Sequence, residues 1–231
     1  DRINLFQIYP YIEDRITEEK LEEKKKSAVI NCLFISSQFY LKGGGELIEA
    51  IKRNLWYENP KLHFDIITKK NQLDIETLTD LKRMKNVELW EFAFTKEELN
   101  KFYEKANIFI NMTRMDSFSL VTLEALHFGC AFISTDMYAI KEMVHDGYNG
   151  YVTKAESHYW NEDHTINCKL TKKEKAKLRE HINSERIVDF LSNKLNHLSE
   201  DRKKLDQMQN NSLIMSHKDF SKEVILEKWR K

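Results

Sequence analysis

Six short apolar runs alternate with longer stretches of helical periodicity between Val29 and Val152, and this alternation limits the fold more than any other feature of the chain. The runs are 29–35 (Val-Ile-Asn-Cys-Leu-Phe-Ile), 63–67 (His-Phe-Asp-Ile-Ile), 87–90, 107–111, 131–134 (Ala-Phe-Ile-Ser) and 150–153. Helical patterns occupy 45–56, 75–84, 96–105, 118–128 and 138–145. Strands that are apolar throughout, rather than at every second residue, are buried on both faces, and strands separated by helices pair in parallel. The expected fold class is therefore α/β, a doubly wound, Rossmann-like parallel sheet of about six strands. Such sheets bind ligands at the carboxyl ends of their strands.

The flanks differ from this middle. Residues 13–27 are a dense charge run, expected as a solvated helix or linker, and the segment before it reads as a strand or connector ending at Pro10. After Lys154 the strand signals stop. Helical patterns follow at 171–182, 184–198, 200–215 and 219–230, with Ser199-Glu200-Asp201 and Ser221 as cap candidates. Polar helices gathered at one end suggest a lid or packing arm. The expected division is a connector and charged linker helix over 1–28, the main domain over 29–218 and a terminal helix over 219–231.

Lys+Arg and Asp+Glu both number 37, so the formal net charge of +0 gives no global argument for nucleic acid as a partner. Cys32, Cys130 and Cys168 are far apart, and the first two fall in or beside strand candidates. They read as core thiols of a reducing, cytoplasmic compartment. No His pairs with another His or Cys at ligand spacing, so no metal site is expected. No apolar run approaches the ~20 residues that span a bilayer. The chain opens Asp-Arg-Ile-Asn without a Met or a signal peptide, which suggests a piece of a longer protein.

Four stretches carry candidate chemistry. Lys42-Gly43-Gly44-Gly45 follows a strand and opens a helix, where glycines allow close approach to a phosphate and Lys42 supplies a cation. By itself this stretch reads as a flexible strand–helix turn, since its spacing matches neither a Walker A loop nor a dinucleotide fingerprint. Asp116 stands where the helix after the fourth strand should begin, and Glu124 lies inside a helix pattern that is otherwise apolar all round. Asp116 is either an N-cap or a ligand contact. Glu124 leans functional, because an unpaired buried charge is very costly. Ile140 to Gly150 contains the turn pairs Asp146-Gly147 and Asn149-Gly150, and Glu142 is the one acid there without an evident surface role. In Trp90-Glu91-Phe92-Ala93-Phe94 the aromatics read as core before they read as a base-stacking platform.

In this order the motifs resemble the nucleotide-sugar-binding domain of the group 1 glycosyltransferase family, one half of a GT-B fold. The match runs through Phe34-Ile35, Phe39, Lys42-Gly43-Gly44 and Leu47-Ile48-Glu49-Ala50, then Asn86 to Leu89 and Glu97 to Ile108. It continues through Asp116-Ser-Phe-Ser-Leu-Val-Thr-Leu-Glu124 to Gly129, then Glu142 to Gly150, and ends at Phe220 to Trp229. The resemblance implies that Glu124 binds ribose hydroxyls and that Asp116 contacts the donor sugar. It implies that backbone N–H groups of Phe118, Ser119 and Leu120 hold the diphosphate, with Lys42 neutralising it beside Gly43. Ser37 and Phe92 would line the donor site. The implied donor is a UDP- or GDP-sugar used without a metal or other cofactor, and the implied outcome is retention at the anomeric carbon. The acceptor, a saccharide or glycoconjugate, would bind an N-terminal domain absent from this chain, so this half alone is expected to be inactive in transfer. The family also implies polysaccharide biosynthesis and peripheral association with the inner membrane face, which the balanced charge does not support.

Four positions depart from the family pattern. Asp116 replaces a usual Glu, Ser119 replaces a Gly and is expected to crowd the sugar pocket, and Ser36-Ser37 replaces a Gly-Arg pair. Loss of the Arg removes a charge-assisted contact of ~1.5–3 kcal/mol unless another basic residue substitutes. A degenerate, non-catalytic scaffold subunit is thus the competing reading. A sugar-nucleotide epimerase of similar fold fits less well, and a dehydrogenase less again.

Overall fold

The computed structural model describes residues 7–13, 15–155, 161, 165–169, 171–177, 180 and 183–230. The strands are β1 (Ile30–Ser36), β2 (Leu62–Thr68), β3 (Val87–Glu91), β4 (Ile108–Asn111), β5 (Ala131–Thr135) and β6 (Gly150–Thr153). They form one sheet in the order β3-β2-β1-β4-β5-β6, and every pairing is parallel. The helices are α1 (Glu18–Lys26), α2 (Gly44–Arg53), α3 (Ile75–Arg83), α4 (Lys96–Lys105), α5 (Leu120–His127), α6 (Ile140–Met143), α7 (Lys172–Lys177), α8 (Glu185–Glu200), α9 (Arg202–Asp219) and α10 (Lys222–Trp229). The chain reverses direction across the sheet between β1 and β4, which lie side by side. That switch point leaves a crevice at the strands' carboxyl ends, where ligands of doubly wound folds bind.

Two apolar clusters sandwich the sheet. One joins Cys32, Phe34, Phe64, Ile66 and Ile110 to α2, α3 and α8. The other joins Leu33, Ile35, Phe109 and Phe132 to α1, α4, α5, α6 and the end of α9. Of the lid and the packing arm expected at the C-terminal end, the helices match the second. α8 buries Ile187, Val188, Leu191, Leu195 and Leu198 in the same cluster as β1, so it packs as a core layer rather than as a lid. Its amphipathic spacing supplies one continuous apolar stripe while the charges face water. Asp201 and Ser221 cap α9 and α10, accepting from the amides of Lys204 and Val224. Ser199 instead donates to the Asn196 carbonyl inside α8. The pattern over 171–182 is helical at 172–177 and extends beyond the described residues.

The segment before α1 is tied to the domain rather than paired as a strand. Glu142 accepts from the Tyr9 hydroxyl and from Gln7 Nε2, which gives that acid its role: it fastens the connector to α6. Lys24, on α1, is buried and donates from Nζ to the carbonyls of Ala106 and Phe128 at 2.8 and 2.7 Å. These carbonyls end α4 and α5, where the helix dipole favours a cation. Cys32 and Cys130 are buried in the two clusters, and Cys168 is exposed. No helix among the described residues is long and apolar enough to cross a membrane.

Candidate functional site

β1 ends at Ser36, whose hydroxyl accepts from the Gln38 amide at 2.8 Å. A 3-10 turn over Tyr40–Lys42 follows, and Gly43 reverses the chain at φ 83° before α2 starts. A Cβ on Gly43 would lie 2.5 Å from Met112 Cβ and 2.8 Å from the Met112 carbonyl oxygen, so only glycine fits. The Lys-Gly-Gly stretch is therefore a closely packed turn seated on the exit of β4, not the flexible one its composition suggested. This packing brings Lys42 across to the β4–α5 loop. Its Nζ donates to Asp116 Oδ2 at 2.5 Å and to the Met115 carbonyl at 2.9 Å. The two side chains retain only 21% and 12% of their exposure, so their charges interact through little water.

Asp116 is not the N-cap of α5. The helix begins at Leu120 with Ser119 as its cap residue, and the Asp116 carboxylate instead accepts from the Ser117 amide and from Lys42. Ser119 adopts φ 66°, a left-handed conformation that costs a non-glycine residue ~1–3 kcal/mol. Its hydroxyl is turned inward, accepting from Asn111 Nδ2 at 3.1 Å and lying 2.8 Å from Thr122 Oγ1. These contacts offset the strain and turn the buried Ser119 side chain toward Asn111 and Thr122. Downstream, the amides of Leu120 and Val121 open the helix with no preceding turn to supply carbonyls, which makes that end a seat for an anion. α5 is not buried all round as its sequence suggested. Leu120 is 55% exposed, because the first turn projects into the crevice, while Leu123, Ala125 and Leu126 are fully covered. Phe118 is partly buried against the connector, its ring 5.9 Å from that of Tyr9.

Glu124 lies on the second turn of α5, half-buried, and accepts from the Tyr103 hydroxyl at 2.6 Å. Burial and the adjacent carboxylate both push the Tyr103 phenol well above its usual range, so it remains a donor. The acid that sequence reasoning singled out is thus held in one orientation by a buried tyrosine on α4.

Behind Lys42 lies a pair that the motif reading missed. Arg114 and Glu46 form a buried ion pair, and Arg114 also donates from its guanidinium to the Tyr40 carbonyl at 2.5 Å and from its amide to the Leu41 carbonyl at 2.9 Å. Arg114 therefore fastens the turn that carries Lys42. Burial pushes the Glu46 carboxyl upward against the pull of the guanidinium, and its Oε2 has no hydrogen-bond partner among the described residues. The only sequence signal was an acid in the first turn of a strongly amphipathic helix; the arginine gave none.

Ser37 lines a cavity of about 420 Å³ with Gln38, Tyr40, Leu41, Lys69 and Gln72, at the carboxyl ends of β1 and β2. Lys69 is a cation there that sequence reasoning passed over. Phe92 is 38% exposed at the end of β3, its amide bonded to the Thr68 carbonyl at 3.0 Å. It shares the carboxyl end of the sheet with Lys42 but stands two strands from β1, ~10 Å away by strand spacing. Trp90, Phe94 and Phe102 pack into one another with ring centroids 5.0–6.0 Å apart, but all three are half-buried at the margin of the core rather than inside it.

A family model described as "Glycosyl transferases group 1" matches residues 30–161, more than half of the chain. The chain belongs to that family. No curated protein matches it significantly. Among solved structures it resembles the C-terminal domain of a group 1 glycosyl transferase, LpcC, from Francisella tularensis, with 19% identity, a TM-score of 0.63, and coverage of 93% of this chain and 97% of that one. Anabaena HepE, solved with UDP and glucose, gives 14% identity and a TM-score of 0.67, covering 96% of this chain and 55% of HepE. The pneumococcal O-GlcNAc transferase GtfA, solved with UDP and GlcNAc, gives 21% identity and a TM-score of 0.61, covering 88% of this chain and 35% of GtfA. The chain thus spans about half the length of HepE and has the fold of the C-terminal half of a GT-B glycosyltransferase.

Proposed function

We propose that this chain is the donor-binding half of a retaining glycosyltransferase, which holds a UDP- or GDP-sugar in the crevice between the ends of β1 and β4. The observation that carries the reading is the convergence of Lys42, Asp116 and the open amino end of α5 at the switch point, with Glu124 one turn further along α5. HepE and GtfA, which share the fold, were solved with UDP.

In this reading the diphosphate sits on the amides opening α5, and Lys42 turns from Asp116 toward it. Asp116 contacts the sugar, while Glu124, steadied by Tyr103, accepts from ribose hydroxyls. A cation and a helix dipole aimed at the departing nucleoside diphosphate stabilise the charge that develops as the glycosidic bond breaks. No metal is required for that role. The acceptor, a saccharide or glycoconjugate, binds a second domain, so this half binds donor without transferring it.

Calorimetric titration with UDP, GDP and their sugars, first without metal and then with Mg²⁺, tests this. One nucleotide should bind metal-free, and Glu124→Ala should abolish the heat. Robust sugar transfer by this chain alone would overturn the division of labour. A second reading, a non-catalytic subunit, is favoured by one observation: the Arg114 guanidinium near the site is held by Glu46 and Tyr40, leaving Ser36-Ser37 without a substitute arginine at that position. A scaffold would keep its function in the longer protein after Asp116→Ala or Glu124→Ala, and an enzyme would lose it.

A further inference from the structure

A groove lies away from the crevice. It has a volume of about 680 Å³ and runs along the β1–β2–β3 face beside α4, lined by Asn31, His63, Asp65, Glu88, Trp90 and Lys105 among others. His63 and Asp65 are alternate residues of β2 and so point to the same face. Asp65 lies directly opposite Glu88 in the parallel register of β2 and β3. Ligating atoms of His63, Asp65 and Glu88 fall within 4.8 Å of one another.

We propose that these three residues bind a divalent transition metal ion of the zinc type, with its remaining coordination open to the groove. One imidazole nitrogen and two carboxylates suit a borderline ion, whereas Mg²⁺ and Ca²⁺ prefer oxygen alone. Two adjacent strands hold the donors on a rigid frame, which is the best support for a designed or natural site. Asp65 is 8% exposed, and its carboxylate is oriented by the Trp90 indole N–H at 2.7 Å. Outer donors of this kind fix metal-ligating carboxylates. His63 Nε2 lies 3.5 Å from the same oxygen, close enough for one ion to draw both inward. The Glu88 side chain is exposed and makes no hydrogen bond or ion pair among the described residues, so its carboxylate is available.

Asp65 and Glu88 together carry the two negative charges that a divalent ion would balance. The chain's only spacing clue was the His-x-Asp pair on one strand; Glu88 joins it through sheet register alone, which explains why a search for His and Cys spacings finds nothing. The site is on the sheet face near the amino end of β2, so it is separate from the donor crevice and independent of the function proposed above.

Zn²⁺ titration of the purified chain tests the proposal, read by calorimetry and by Trp90 fluorescence, with Co²⁺ as a quenching probe and Mg²⁺ as the control. One equivalent of Zn²⁺ should bind, Co²⁺ should quench Trp90, and Mg²⁺ should do neither. His63→Ala and Glu88→Gln should each weaken Zn²⁺ binding more than tenfold, and Trp90→Phe, which removes the N–H that orients Asp65, should weaken it as well as removing the optical signal. Glu88 is exposed, so its replacement tests the site without threatening the fold. Absence of binding to the wild-type chain, or binding unchanged in both His63→Ala and Glu88→Gln, would overturn the proposal.

Discussion

On one side of β1, every residue of β4 and β5 is buried; on the other, β3 buries only Val87, and β2 turns His63 and Asp65 toward an open groove. The difference follows from cover. α4, α5 and α6 roof β4 and β5 on one face, with α8 and α9 on the other, so those strands must be apolar throughout. Past β1 that roof thins, and the exposed face takes polar side chains instead. The comparison teaches that a parallel sheet obeys the rule of continuous apolar strands only where helices cover both faces. It also separates two kinds of charge. Arg114 and Glu46, under the crevice, are buried and mutually dependent, whereas His63, Asp65 and Glu88 keep a solvent route.

A matched pair of truncations would break this comparison most directly. Phe132→Ala, on β5, removes a ring with no exposure and should lower the unfolding free energy by about 3–5 kcal/mol. Leu89→Ala, on the half-buried β3, should cost less than about 1.5 kcal/mol. Urea denaturation midpoints would show it, and equal losses would mean that both halves of the sheet are equally covered.

The buried pair offers a second break. Arg114→Ala leaves Glu46 charged and unpaired, which should cost about 3–5 kcal/mol, while the double change Arg114→Met with Glu46→Leu should fall near wild type in stability. If the single and double variants unfold alike, the pair is not the coupled unit described. Should the double variant fold well yet lose nucleotide binding, the role of Arg114 in fastening the Lys42 turn would be sharpened.

The smallest effect is pH dependence on the open face. Asp65 raises the proton affinity of His63 above the ordinary value of 6.5, chiefly through their hydrogen bond. A group whose folded pKa is raised contributes stability fully below its unfolded pKa and loses it as pH rises through the folded value. The wild type should therefore lose ~0.2–1 kcal/mol relative to Asp65→Asn over a rise from below 6.5 to above that folded value, a small span because the pair is partly solvated. A difference between the two proteins that stays flat with pH would sink this reading.

The strand–helix order was legible because each strand between Ile30 and Thr153 carries its own local signal, and boundaries there differ by up to three residues, the largest at the end of α2. Glycine and acid spacing reached part of the crevice: Lys42 and Asp116 meet there, and Glu124 follows on the second turn of α5. The inward direction of the Ser119 side chain was not legible, because it depends on a left-handed φ that composition does not reveal. Arg114, Glu46 and Tyr103 were missed because their partners are 68 and 21 residues away, and no periodicity encodes such distances.

The sequence by itself determined the parallel α/β architecture, since apolar runs and helical spacing act through local geometry and the need to bury whole faces. Only the tertiary structure decided which charges meet. Lys42 with Asp116, Arg114 with Glu46, and Asp65 with Glu88 are joined by strand order and register, and Coulomb and hydrogen-bond energies depend on distance in space rather than along the chain.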